Sequence, residues 1–319
     1  MLAIFLKTLA IFLVILAGFV LRRRGLIDAA FNRQFSLVLV NLFYPALILH
    51  TIGGQFDWQA LCSQAWLPAG SALIMASGWT VGRVLRPLLR GQTPERAQAF
   101  HLQCALNNYS FLPIMLASLL GGPRAVAQVI VSTLGAEICV WTLGVQALTG
   151  RTAWRDSLRA LRSVPILAMG VAFATLLVRH AAAPGTGLAA ALAAGRPLWG
   201  LANDTLQLMG QATIPACALI AGCRMADLRP RDLHSPPLIG IVLLRLAVIP
   251  ALALAWVSLL PVTPDVRLVL RIVAVQPCAL ASVTLAEVYR GDAPFTAATV
   301  LATHAVALLS IPLWLGAVT

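Results

Sequence analysis

Two short polar stretches, each set inside an apolar run, hold the side chains of this sequence best suited to chemistry. One is Asn107-Asn108-Tyr109-Ser110-Phe111-Leu112-Pro113, within the run 97–120. The other is Gln276-Pro277-Cys278, within the run 268–288. At ~1.5 Å per helical residue, each run is long enough to cross a bilayer. Amides facing lipid would find no hydrogen-bond partner there. A proline removes a backbone donor and clashes with the carbonyl four residues before it. Both helices are therefore expected to break where their polar side chains sit, with Pro113 and Pro277 holding them open. A broken helix exposes free N–H groups and the positive end of a half-helix dipole, which suits an anion. Asn107, Asn108 and Gln276 add side-chain donors, and Cys278 and Asn41 complete the set of candidate binding residues. The plainer reading makes each break a proline kink that shapes a bundle. Two such breaks, one in each half of the chain, favour a carrier's substrate site.

Three ionisable residues within the apolar runs are candidates for coupling. Glu137 is the one acid near the middle of a run, where an ionised group costs at least ~2.5 kcal/mol unless partnered or hydrated. It reads equally as a proton-coupling carboxylate or as a neutral acid bonded to a neighbouring helix. His304 can shuttle protons near neutral pH, although an interior histidine is more often simply satisfied. Arg245 either snorkels to the headgroups, the slightly favoured reading, or brings positive charge near an anionic substrate. No metal-ligand spacing is present, and the six cysteines read as small packing residues.

The elements that position these residues follow from composition. The chain has 319 residues, 60% of them hydrophobic and 11% charged. A soluble domain carries ~25% charge. The class is an all-α polytopic membrane protein. Met1–Leu21 reads as a first span, since arginines follow its apolar run and no small-residue cleavage site is present. Ten apolar segments are expected at 2–21, 36–53, 66–84, 97–120, 125–148, 164–182, 197–221, 236–259, 268–288 and 294–316. The net charge of +12 does not indicate nucleic acid. Sixteen of the 23 basic residues fall in the odd-numbered loops, which places those loops in the cytoplasm and both termini outside. Arg224 is counted among them, in the seventh loop.

The fifth loop, residues 150–163, divides the chain into repeats of five spans each, 1–149 and 164–319. With an odd number of spans, the repeats enter the membrane in opposite directions, as in many secondary carriers. Spans two and seven both read amide, three residues, Pro, Ala: Asn41–Ala46 and Gln211–Ala216. Spans four and nine carry the two breaks. Gly78-Trp79-Thr80-Val81-Gly82 in span three has the small-xxx-small spacing of closely packed helices.

Enzyme readings lack their parts. No D-x-x-D, H-E-x-x-H, G-x-S-x-G or Walker motif occurs. No cofactor is implied, and transport would run on a gradient.

The chain resembles the auxin efflux carrier family, which includes the PIN-type exporters of plants and bacterial carriers assigned to malate or malonate. The resemblance rests on Leu21–Asp28, Asn41–Leu49, Asn108–Ile114, Gln211–Gly222 and Pro277–Asp292, in that order along ten spans. It implies broken, crossing helices four and nine, with substrate beside the crossover. Spans one, two, six and seven would form a scaffold, and three to five and eight to ten an elevator-like moving part. Asn108 matches the asparagine of the family's span-four motif, and Pro277 matches the crossover proline of span nine. That motif commonly reads N-T-G-F-x-G-x-P; its glycines are replaced by Ser110 and Pro113 and its last proline by Met115. The substitutions displace the expected crossover by about half a turn.

The expected function is secondary transport of a small organic anion, a mono- or dicarboxylate, across the inner membrane, with protons as the candidate coupling ion. Lipid is the expected surrounding, and a homodimer is left open. Two other readings are a sodium-coupled carrier of the bile-acid type and a non-transporting sensor or channel. Scarce intramembrane acids disfavour the first, and the lack of a continuous polar stripe disfavours the second.

Overall fold

A computed structural model describes residues 2–151, 162–182, 186, 194–227 and 235–318. Among them the secondary structure is helical, with no strand beyond a single isolated bridge. The principal helices are α1 (Leu2–Arg23), α2 (Ala29–Gln55), α3 (Trp66–Leu85), α4 (Pro94–Ala105), α5 (Phe111–Leu120) and α6 (Gly122–Thr149). They continue as α7 (Val164–Ala181), α8 (Pro197–Asp227), α9 (Pro236–Leu259), α10 (Pro264–Ala274), α11 (Ala281–Val288) and α12 (Ala293–Val318). Among the described residues, seven helices are long and apolar enough to cross a membrane: α1, α2, α6, α7, α8, α9 and α12. The chain is thus a membrane-embedded, multi-pass protein.

The expected breaks occur. The fourth apolar run is interrupted between Ala105 and Phe111, and the ninth between Ala274 and Ala281. Pro277 lies within its break, as expected. Pro113 does not: it sits in the first turn of α5, where its missing N–H costs no helical bond.

Two boundaries move. Asp28 caps α2, its carboxylate accepting from the Phe31 N–H at 2.6 Å, so Arg33 is helical and does not lie in a loop. At the other displaced boundary, α8 continues to Asp227 and takes Arg224 into its last turn. The loop residues Arg155, Asp156, Arg159, Arg229, Arg231 and Asp232 lie outside the described residues.

Three long helices contain a single widened, π-type turn: Leu39–Phe43 in α2, Val140–Gly144 in α6 and Leu244–Val248 in α9. In α2 and α9 a proline follows two residues later, at Pro45 and Pro250. A proline leaves the carbonyl four residues back without its N–H, and the widened turn absorbs the mismatch. In α9 that carbonyl belongs to Leu246, and the Trp314 indole N–H of α12 donates to it at 2.7 Å.

The helices pack in two groups that meet where α1 lies against α12 and α2 against α6. α1 lies along α8, and α2 along α7 and α8. α3 packs on α4, α6, α9 and α10, while α12 packs on α4, α9 and α11. Small residues set the closest approaches. A Cβ at Gly222 would stand 1.8 Å from the Ile15 carbonyl oxygen, so α1 and α8 touch backbone to backbone. A Cβ at Gly78 would stand 2.1 Å from the Cys104 carbonyl oxygen, which accounts for the small-xxx-small spacing in α3.

Candidate functional site

The two breaks meet and satisfy each other. The Asn108 N–H donates to the Pro277 carbonyl at 2.8 Å, and the Ala279 N–H donates to the Leu106 carbonyl at 3.1 Å. Asn107 and Cys278 thereby face each other as a short antiparallel bridge. Away from water, four unwound backbone groups are paired at no helical cost. The Cys278 N–H also reaches the Thr303 hydroxyl of α12 at 3.3 Å. Part of the free backbone expected to hold an anion is therefore consumed by the joint itself.

Beside the joint lies a cavity of about 180 Å³. α2, α7 and α8 form one wall with Ser36, Leu39, Tyr44, Ile166, Met169, Cys217 and Arg224. The start of α5, the middle of α6 and the start of α11 form the other, with Asn108, Tyr109, Ser110, Phe111, Thr133, Glu137 and Ala281. The widened turn of α2 lies at this cavity, and Tyr44 just after it meets Phe111 edge to face at 5.9 Å. The first N–H groups of a helix have no acceptor within it. Here those of Phe111 at the start of α5 and of Ala281 at the start of α11 lie where the partial positive ends of two dipoles meet the cavity.

Of the five residues expected to bind substrate, the structure gathers four at the joint but opens one to the cavity. Asn108 lines it, and its Nδ2 lies 3.4 Å from His304 Nε2. Asn107 is fully buried; its Nδ2 donates to the Val273 carbonyl at 2.7 Å and fastens one break to α10. Gln276 is also buried and donates to the Ile272 carbonyl of its own helix at 2.7 Å. The Cys278 thiol lies 3.7 Å from the Gln103 carbonyl. Asn41 is exposed on α2 and bonded to the Leu37 carbonyl at 2.9 Å, away from the cavity lining.

The coupling candidates separate as well. Glu137 half-opens to the cavity and accepts from the Tyr109 hydroxyl at 2.7 Å. His304 is buried behind Asn108, and its Nδ1 lies 2.8 Å from the Val300 carbonyl. A carbonyl only accepts, so Nδ1 carries the proton. In the neutral ring, Nε2 is then the acceptor for the Asn108 amide. Arg245 does not snorkel. It is fully buried on the widened turn of α9, donating to the Cys104 carbonyl at 2.9 Å and the Gln276 carbonyl at 3.2 Å.

Sequence reasoning missed Arg224. Its neighbour one turn on, Asp227, pairs with Arg22 at 2.7 Å. Arg96–Asp292 and Arg124–Asp265 are further ion pairs among the described residues. Arg224 belongs to none of them and lines the cavity. The available signal was the apolar pattern running on through Cys223, Met225 and Ala226, which carries the helix past the arginine. Arg224 and Glu137 are the two charged side chains of the lining, set beside an apolar wall and two helix N-termini. The chemistry such a cavity can do is to hold a small anion without forming a covalent bond.

The model of the family described as membrane transport protein matches residues 3–315. No curated protein sequence matches the chain. Covering nearly its whole length, the family match makes the chain a member of the auxin efflux carrier family, a membrane transport family.

Proposed function

We propose that this family member is a secondary carrier of a small organic anion, a mono- or dicarboxylate, in the inner (plasma) membrane. The observation that carries the reading is the cavity beside the paired breaks, with Arg224 unpaired on one wall and the starts of α5 and α11 on the other. Asn108 and Arg224 bind the anion, together with the free N–H groups at Phe111 and Ala281. Asn107, Gln276 and Cys278 act at one remove, by fixing the crossover. Asn41 has a hydrogen bond within its own helix and no part in binding.

The membrane arrangement proposed is ten spans in two inverted repeats, 1–149 and 164–319, joined by residues 150–163, with both termini outside. Supporting the count, the seven long apolar helices are joined by the 20-residue α3 and by two interrupted pairs, α4–α5 and α10–α11. The packing of α1, α2, α7 and α8 with one another favours their acting as the scaffold, against which the remaining helices slide in an elevator cycle. Glu137 couples protons: an anion beside an ionised carboxylate is repelled, so loading is favoured when Glu137 is neutral. His304, bonded to Asn108, is a second route for the same proton.

Uptake by purified protein in proteoliposomes tests the reading. A radiolabelled mono- or dicarboxylate should accumulate by counterflow, and Asn108→Ala should abolish this. The variant should stay folded, because the Asn108 backbone bond to Pro277 does not involve the side chain. No counterflow with any acid of a broad panel, or an Asn108→Ala protein as active as the wild type, would contradict the site.

A further inference from the structure

Arg245 is the largest fully buried side chain among the described residues, and the carrier function just described gives it no task. Its surroundings do. α4 and α10 are the first halves of the two broken helices, and both end at the joint. The C-terminal end of a helix carries about half a negative charge on its unsatisfied carbonyls. Two such ends together approach a full negative charge, which burial makes costly unless a cation answers it.

Arg245 supplies the cation. Nη1 donates to the Cys104 carbonyl in the last turn of α4 at 2.9 Å, and Nε donates to the Gln276 carbonyl just beyond α10 at 3.2 Å. The forked guanidinium spans two backbone segments at once, as a compact ammonium could not. Other features fit this placement. Gly78 leaves open the space next to the Cys104 carbonyl, and a Cβ there would stand 3.3 Å from Nη1. Arg245 is in none of the ion pairs among the described residues, so the helix ends are what balance its charge.

We propose that Arg245 is the permanent cation of the crossover: it neutralises both half-helix ends, locks the two breaks together, and leaves the joint with no need of a sodium or potassium ion. It is a positioning residue, outside the cavity lining. The stability consequence is independent of the carrier function; only the transport consequence rests on it.

The test has two arms. In the first, the melting temperature of the purified, ligand-free wild-type protein is measured in sodium, potassium and N-methyl-D-glucamine chloride at equal ionic strength. The expected values coincide, and a melting temperature that rises specifically with sodium or potassium would overturn the proposal. In the second arm, Arg245→Lys and Arg245→Met are compared in proteoliposomes and in direct binding. Arg245→Lys should bind the anion like the wild type, while its turnover falls about tenfold, the loss expected of one charge-assisted hydrogen bond. Arg245→Met should be less stable and slower still. Wild-type turnover in Arg245→Met would overturn the proposal, and so would a loss of anion affinity in Arg245→Lys equal to its loss of turnover. The first arm uses no substrate, so it can fail while the carrier reading stands. Absence of all counterflow would instead strike the carrier reading alone.

Discussion

Glu137→Gln is expected to bind the transported anion tightly at every pH at which the ligand is ionised, whereas the wild-type protein binds more tightly as the pH falls. The sign follows from the geometry. Glu137 and Arg224 line one cavity of about 180 Å³. Two unit charges ~7 Å apart at an effective dielectric of ~20 interact by about 2–3 kcal/mol, roughly a factor of 50 in affinity. An ionised Glu137 therefore opposes the anion by about that factor, and protonation removes the opposition. Glutamine keeps an acceptor for the Tyr109 hydroxyl and removes only the charge. Calorimetric titration across pH measures the effect directly. A Gln variant that retains the wild-type pH profile would leave Glu137 with a structural role alone.

Arg224→Gln is expected to act oppositely and to a similar extent. It removes the cation that faces the cavity, so the affinity for the anion should fall by roughly a factor of 50 on the same Coulomb argument. Arg224→Lys keeps the charge but not the fork, and should recover much of the loss. Asp227, one turn away and already paired with Arg22, is the control. Asp227→Asn leaves the cavity charge unchanged and should leave affinity unchanged too. The two effects also oppose each other in combination. In the Arg224→Gln, Glu137→Gln double variant the cavity is neutral, and its affinity should be weaker than that of Glu137→Gln and independent of pH. Equal affinity in the wild-type and Arg224→Gln proteins would remove Arg224 from the site.

The bundle and its two breaks could be read from the sequence because both are one-dimensional signals. Apolar length marks a helix that can sit in lipid, and a polar, proline-bearing interruption marks where it stops. The cavity could not be read so directly, because the facing of a side chain depends on what packs against its helix. Asn107 and Asn108 are adjacent and chemically identical. One is turned into the joint and bonded to Val273, and the other is turned to the cavity and His304. Pro113 looked like the breaking residue, yet it begins the next helix, because the pairing of residues 106–108 with 277–279 had already interrupted the first. Arg224 was hidden by its neighbours in sequence: a run of arginines reads as an orientation signal, and only the extension of α8 to Asp227 brings one of them to the cavity lining. Arg245 was legible as an anomaly, a cation within an apolar run. Its partners were not, since backbone carbonyls 141 and 31 residues away leave no mark on composition. Glu137 was the clearest of the polar residues, being the one acid so deep in a run.

The central claim is that a small anion occupies the cavity beside the paired breaks. Ser110 lies in its lining, at the start of α5. In a background with Cys62→Ser and Cys217→Ala, Ser110→Cys can be challenged with a small thiol reagent in the presence and absence of the anion that supports counterflow. The account predicts labelling of the empty protein and protection by the anion, with protection lost when Arg224→Gln is added. Labelling of Ser110→Cys at the same rate with and without a saturating transported anion would contradict it.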